Sequence, residues 1–142
     1  MLVIDASAAL YLLASAEGME PLARLELAAP ALLWSEVTSV LNEMRWRGEL
    51  SESLAESAFE RLLTAPIARR ADAGLYSGAR EVARELGWAK TYDAEYVSLA
   101  RMLDSNLLSR DERLRRGAER LVTVVGPDEV LRPGGRRQAR RP

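Results

Sequence analysis

The chain of 142 residues contains no cysteine. Disulfides and thiolate metal sites are therefore excluded, which fits a reducing cytosol. Histidine is absent as well, and that excludes more. There can be no histidine-based triad, no imidazole acid/base pair and no histidine cluster for zinc. Hydrolytic chemistry would have to come from carboxylates, hydroxyls or a metal-activated water. Lys90 is the only lysine, against nineteen arginines. The arginines are spread along the whole chain, as a compositional bias would leave them, rather than gathered in one patch. A long apolar run is also missing. The longest, residues 8–16, is well short of the ~20 residues a bilayer span needs. It follows Asp5 and has no basic leader, so neither a membrane span nor a signal peptide is expected. The chain is read as cytoplasmic.

What is present suits one soluble domain. The hydrophobic share is 48% and the charged share 29%, both ordinary for a globular protein. The net charge of −1 is unevenly placed. Residues 132–142 carry five arginines and no acid, leaving 15 basic and 21 acidic groups, or −6, in the rest. The expected division is a folded domain over 1–131 and a basic tail over 132–142. The tail holds Pro133-Gly134-Gly135 and almost nothing apolar, so it is expected to be disordered.

Short apolar runs alternate with helical patterns. Strands are expected at Met1–Ile4, Ala31–Trp34, Ile67–Ala71, Asn106–Ser109 and Leu121–Val125. Helices are expected from Ala8 (capped by Ser7) to Ser15, from Pro21 to Ala28, and from Ser35 to Gly48. In the last, Val37, Val40, Leu41 and Met44 form the apolar face. Further helices are expected from Ser51 to Thr64, with Leu54, Ala58 and Leu62 inward, then over Ala73–Leu86 closed by Gly87, Asp93–Leu103 and Glu112–Arg120. This alternation predicts an α/β fold of three α/β/α layers around a mostly parallel sheet.

Four acids recur at strand-to-helix junctions or helix starts: Asp5, Glu36, Asp93 and Asp111. Each taken alone fits helix capping or a helix dipole. Ser109-Arg110-Asp111-Glu112 even matches a capping box. Asp5 fits that reading least, because it stands between a buried strand and an apolar helix, where an unpaired carboxylate is costly. If the strands are parallel, their C-terminal ends meet at one edge of the sheet, where ligands of open α/β sheets bind. Carboxylates brought together there repel unless a divalent cation neutralises them. All-oxygen ligands suit magnesium or manganese. Ser7 and Ser109 each lie two residues from an acid and can orient a carboxylate or a water.

Residues 1–10, Met-Leu-Val-Ile-Asp-Ala-Ser-Ala-Ala-Leu, resemble the opening of a PIN-domain nuclease. Leu32-Leu33-Trp34-Ser35-Glu36-Val37 is similar to its second motif. Tyr92-Asp93-Ala94-Glu95-Tyr96-Val97-Ser98-Leu99-Ala100 is similar to its third and most specific motif. Leu107-Leu108-Ser109-Arg110-Asp111-Glu112-Arg113-Leu114 is similar to the fourth, with Ser109 where the family often has threonine. Order and spacing resemble the VapC-type toxins of toxin–antitoxin pairs over residues 1–125.

The resemblance implies that Asp5, Glu36, Asp93 and Asp111 bind Mg2+ or Mn2+ and, with the Ser109 hydroxyl, form the catalytic site. Glu43, ~10 Å further along its helix than Glu36, is a weaker candidate. Asn42 is expected near the groove without a role. The activity implied is endoribonuclease cleavage of RNA (tRNA or rRNA) by a metal-activated water attacking phosphorus in line. The products would be a 5′-phosphate and a 3′-hydroxyl. Arg110, Arg113, Arg115 and Arg116 would either hold phosphates or form a solvated helix face. The resemblance further implies a cognate antitoxin partner and a homodimer, with Trp46 and the helices over 35–64 as interface material.

Two rivals remain. One is a catalytically inactive PIN-like module that binds RNA or protein. The other is an acidic-pocket phosphotransfer protein, disfavoured by Ser7 where a phosphatase needs aspartate and by Lys90 lying before Asp93 rather than on a late strand.

Overall fold

A computed structural model describes residues 1–132. The expected disorder of the basic tail therefore falls on residues outside those described. Five strands, β1 (Leu2–Ile4), β2 (Leu27–Pro30), β3 (Ile67–Arg70), β4 (Asn106–Leu108) and β5 (Val124–Val125), form one sheet. The order is β3-β2-β1-β4-β5 and every pairing is parallel. The helices are α1 (Ala6–Ala14), α2 (Leu32–Trp46), α3 (Glu52–Thr64), α4 (Ala73–Leu86), α5 (Tyr92–Met102), α6 (Glu112–Ala118) and α7 (Pro127–Leu131), with a 3-10 turn at Glu20–Leu22.

α1, α2 and α3 contact one another, while α4 packs on α5 and α5 lies across β1, β2 and β4. Right-handed crossovers account for the division. The connections β1 to β2 and β2 to β3 run one way along the sheet, and β3 to β4 runs back, so their helices cover opposite faces. The three-layer expectation holds. β1 is the switch point: the chain leaves it first towards β2 and returns to pair β4 on its other side. Ile4 pairs with Leu108, so the residues after both strands, Asp5 and Ser109, emerge side by side.

Four expectations need correction. The second strand is Leu27–Pro30, not 31–34, and Leu32 opens α2. Leu27, Ala28 and Ala29 are good helix formers that are fully buried in a central parallel strand, so tertiary context overrides propensity. The residues 21–28 thus supply a 3-10 turn and the start of that strand rather than a helix. α1 is capped by Asp5, whose carboxylate accepts from the Ala8 amide, rather than by Ser7. In α3, Ala55 rather than Leu54 joins Ala58 and Leu62 in facing inward, and Leu54 is exposed. Gly87 ends α4 as expected, at φ +70°, where a side chain is strained.

Candidate active site

Asp5 is 4% exposed at the C-terminal end of β1. Its Oδ1 accepts from the Ala8 amide at 2.9 Å and from the Ser7 hydroxyl at 2.7 Å. Its Oδ2 accepts a short hydrogen bond from the Ser109 hydroxyl. The two serines stitch β1 to the end of β4: the Arg110 amide donates to Ser7 Oγ at 2.9 Å, and the Asp111 amide donates to Ser109 Oγ at 3.0 Å. Burial pushes the Asp5 carboxyl up. The three hydrogen bonds oppose that, and the nearby charge of Asp111 adds to it.

Asp111 does cap α6, since its Oδ1 accepts from the amides of Arg113 and Leu114. Among the described residues Oδ2 makes no comparable bond, so one oxygen stays available. Asp93 is not a cap. Thr91 occupies that position, and Asp93 stands in the first turn of α5 with its side chain at an exposed rim. Glu36 lies in the second turn of α2, because the helix starts four residues earlier, at Leu32. Burial raises the Glu36 carboxyl, and the charges of Asp93 and Asp5 raise it further. Partial burial and the charge of Asp111 raise Asp93, while Arg113 opposes them.

Glu36, Asp93 and Asp111 line one cleft of about 620 Å³ together with Trp88, Lys90, Tyr92, Arg113 and Leu114. Asp5 lies close enough for its charge to act on Glu36, and Asp111 acts in turn on Asp5. Among the described residues, none of these four acids takes part in an ion pair. Nor does any group of three acids stand close enough to enclose a cation unaided. Mutual repulsion of uncompensated carboxylates works against closer approach. The donors are all hard oxygens carrying surplus negative charge, a set that fits a magnesium-type ion.

Two residues that the sequence reading passed over belong to this neighbourhood. Tyr96, 1% exposed, donates its hydroxyl to Glu36 Oε1 at 2.7 Å. Burial and that carboxylate push the phenol far above its usual range. Glu95 is buried beside them, and its carboxyl is raised by burial and by Glu36. The signal for Tyr96 was its place one turn after Asp93, on the side of α5 that shares that acid.

The structure places the remaining candidates as follows. Glu43 pairs with Arg47 at 3.0 Å on the exposed side of α2. Asn42 accepts from Arg45 and lines a separate groove between α2 and α3. Arg115 pairs with Glu129 at 2.7 Å, Arg116 donates to the Glu112 carbonyl, and Arg110 stacks over Tyr11. Of the four arginines, only Arg113 lines the cleft.

The profile of the PIN domain family matches residues 2–120. The chain belongs to the PIN-domain family. Ribonuclease VapC3 of Mycobacterium tuberculosis is 36% identical over 119 residues, which span 80% of this chain and 85% of that protein. Ribonuclease VapC9 of the same species is 33% identical over 115 residues, spanning 80% and 88%. Among solved structures, PAE2754 from Pyrobaculum aerophilum aligns with a TM-score of 0.73 at 23% identity, over 92% of this chain and 91% of that one. VapBC2 from Rickettsia felis, solved with a DNA fragment from its promoter, aligns with a TM-score of 0.65 at 13% identity, over 88% and 97%. The last two speak for the PIN fold alone.

Proposed function

We propose that this PIN-domain protein is a divalent-metal-dependent endoribonuclease, the toxin of a toxin–antitoxin pair. The carrying observation is the cleft at the β1/β4 switch point. Glu36, Asp93 and Asp111 line it above the buried Asp5; burial and neighbouring carboxylate charge raise the proton affinity of Asp5, Glu36 and Asp93, and among the described residues none of the four forms an ion pair. The VapC ribonucleases that match four-fifths of the chain give the reaction class.

Asp5, Glu36, Asp93 and Asp111 are the residues that would hold Mg2+ or Mn2+. Bound there, the ion would supply the chemistry the chain lacks, lowering the pKa of a water so that its hydroxide form can attack phosphorus and offsetting the charge that develops on the leaving 3′-oxygen. The chain's own part is positioning. Ser109 and Ser7 fix the Asp5 carboxylate, the Asp111 cap uses Oδ1 and leaves Oδ2 without a bond among the described residues, and Tyr96 holds Glu36 from α5. Arg113 offers a cation beside the acids for a phosphate.

A cognate antitoxin follows from the VapC relatives, since a free ribonuclease endangers its own cell. A homodimer in the cytoplasm completes the reading. Among the described residues no helix is long and apolar enough to cross a membrane. Trp46, 80% exposed at the end of α2, is available for an interface. The basic tail from residue 132 is read as an appendage outside the nuclease domain.

The test is RNA cleavage with and without Mg2+ by the wild type and by Asp5→Asn and Asp93→Asn, beside a melting curve. Metal is expected to raise the wild-type melting temperature, and each substitution to abolish cleavage. Metal-dependent cleavage retained by both variants would refute the site.

A further inference from the structure

The cleft continues past the acids. Besides the acids, it is walled by Gly87, Trp88, Ala89 and Lys90 of the connector from α4 to α5, by Tyr92 at the start of α5, and by Arg113 and Leu114 of α6. This wall has the opposite chemistry: two aromatic rings, Trp88 and Tyr92, and two cations, Lys90 and Arg113. Tyr92 leaves 57% of its surface open to solvent, one residue before Asp93. Trp88 is fixed in place. Its amide donates to the Ala83 carbonyl at 2.8 Å. Its indole lies so near α6 that a Cβ at Gly117 would come within 3.0 Å of Cζ2. Among the described residues, neither Lys90 nor Arg113 forms an ion pair.

We infer that this wall is a subsite for an unpaired nucleotide of single-stranded RNA, its base stacked on Tyr92 and its phosphates held by Lys90 and Arg113. The inference rests on the ribonuclease reading above and adds which residues receive an unpaired base and its phosphates. A polyanion approaching four carboxylates is repelled, and the two cations in the same cleft offset that repulsion. An open ring there offers a base a stacking partner worth ~1–3 kcal/mol, whatever the sequence. A base inside a duplex cannot use it, because both its faces are already covered and an A-form helix presents backbone and groove edges instead. A cavity of about 620 Å³ is within the usual range for a small-ligand site and has room for one nucleotide beside the acids.

The experiment is fluorescence anisotropy with a short labelled single-stranded RNA and with the same sequence as a duplex, both in EDTA, using the full chain. Tyr92→Ala is expected to weaken single-strand binding about tenfold and duplex binding less than about twofold. Tyr92→Phe, which keeps the ring, retains single-strand binding. Lys90→Ala and Arg113→Ala each lower the salt slope by about one. Equal single-strand affinities for Tyr92→Ala and wild type would overturn the subsite. So would an equal loss on the duplex, or no measurable binding by the wild type. Cleavage is scored separately with Mg2+. A protein that binds through Tyr92 but cuts no RNA keeps the subsite and loses the nuclease reading, and the reverse result does the opposite.

Discussion

Strand β4 has a cavity at each end, nearly equal in size and opposite in character. The one past its C-terminal end, about 620 Å³, holds Glu36, Asp93 and Asp111. The one at its N-terminal end, about 680 Å³, is lined by Arg101, Asp104, Ser105, Asn106, Glu119 and Arg120, among others. In the second cavity both signs of charge are present and the arginines are engaged. Arg101 pairs with Glu85 at 3.6 Å, and Arg120 donates to the Glu85 carbonyl at 2.5 Å. In the first, both signs are present too, but among the described residues neither the acids Glu36, Asp93 and Asp111 nor the cations Lys90 and Arg113 form an ion pair, and Glu36 and Asp111 are held instead by hydrogen bonds from a tyrosine and from backbone amides. Volume is therefore a poor guide to chemistry, and surplus charge that the fold itself supports is a better one.

The hardest test of this contrast is mutation at both ends. Asp93→Asn is expected to reduce metal-dependent RNA cleavage by more than about a hundredfold, beyond the ~10–100-fold typical of outer partners. Arg101→Ala at the other end is expected to change it less than about twofold, its exposed ion pair being worth ~0–1 kcal/mol. Initial rates on one RNA at saturating Mg2+ decide. Comparable losses at both ends would mean that the acids act through stability alone.

Tyr96→Phe sharpens the same contrast from within the site. It removes one hydroxyl and almost no volume, so the fold should survive with a small change in melting temperature. The Glu36 carboxylate loses the bond that fixes Oε1. Metal affinity, read as the Mg2+ concentration at half-maximal thermal shift, is expected to weaken by ~10–100-fold. An unchanged midpoint would reduce Tyr96 to packing.

The pH dependence follows from the raised carboxyls. Asp5, Glu36 and Asp93 hold their protons more tightly in the fold than in the unfolded chain. Their contribution to metal-free stability is therefore complete below the ordinary values of 3.8 for aspartate and 4.5 for glutamate, and it is lost as pH rises through the raised ones. Asp72 and Glu129, lowered by Arg70 and Arg115, work in the other direction, so the informative quantity is a difference. Asp5→Asn is expected to gain stability relative to wild type as pH rises from the ordinary 3.8 through the raised value in EDTA, and Mg2+ should erase that gain. Urea melts across this range check it, and a flat difference would remove burial as the cause.

How much of this was legible beforehand depended on whether local chemistry or burial decided. Asp5 at the end of β1 and Asp111 before α6 were readable, because each is an acid that closes a short apolar run just before a helix. The parallel sheet was readable from the alternation of elements. The second strand was not: Leu27-Ala28-Ala29 carries a helical preference that only its central place in the sheet reverses. That shift moved Glu36 from the first turn of its helix to the second without moving it from the cleft. Tyr96 and Glu95 stood in the third motif without a role, because Ala94–Ala100 is buried on every side between α4 and the sheet, so periodicity within α5 singles out neither.

The smallest expected effect lies at the quiet end of β4. Ser105 Oγ is buried without a hydrogen-bond partner among the described residues, while the Ser105 amide donates to the Ala100 carbonyl. A buried hydroxyl that makes no bond has lost water and gained nothing, so replacing it by a methyl group is neutral or favourable. Ser105→Ala should leave RNA cleavage unchanged and alter unfolding free energy by less than about 1 kcal/mol, on the stabilising side. At the acidic end the matching change, Ser109→Ala, removes a bond to the buried Asp5 carboxylate and should destabilise by about 1–3 kcal/mol. The two alanine substitutions, compared by urea denaturation, measure directly how differently the fold treats a serine at each end of one strand. A loss at Ser105 as large as that at Ser109 would mean that both ends depend on hidden polar contacts and that the contrast between them is only one of charge.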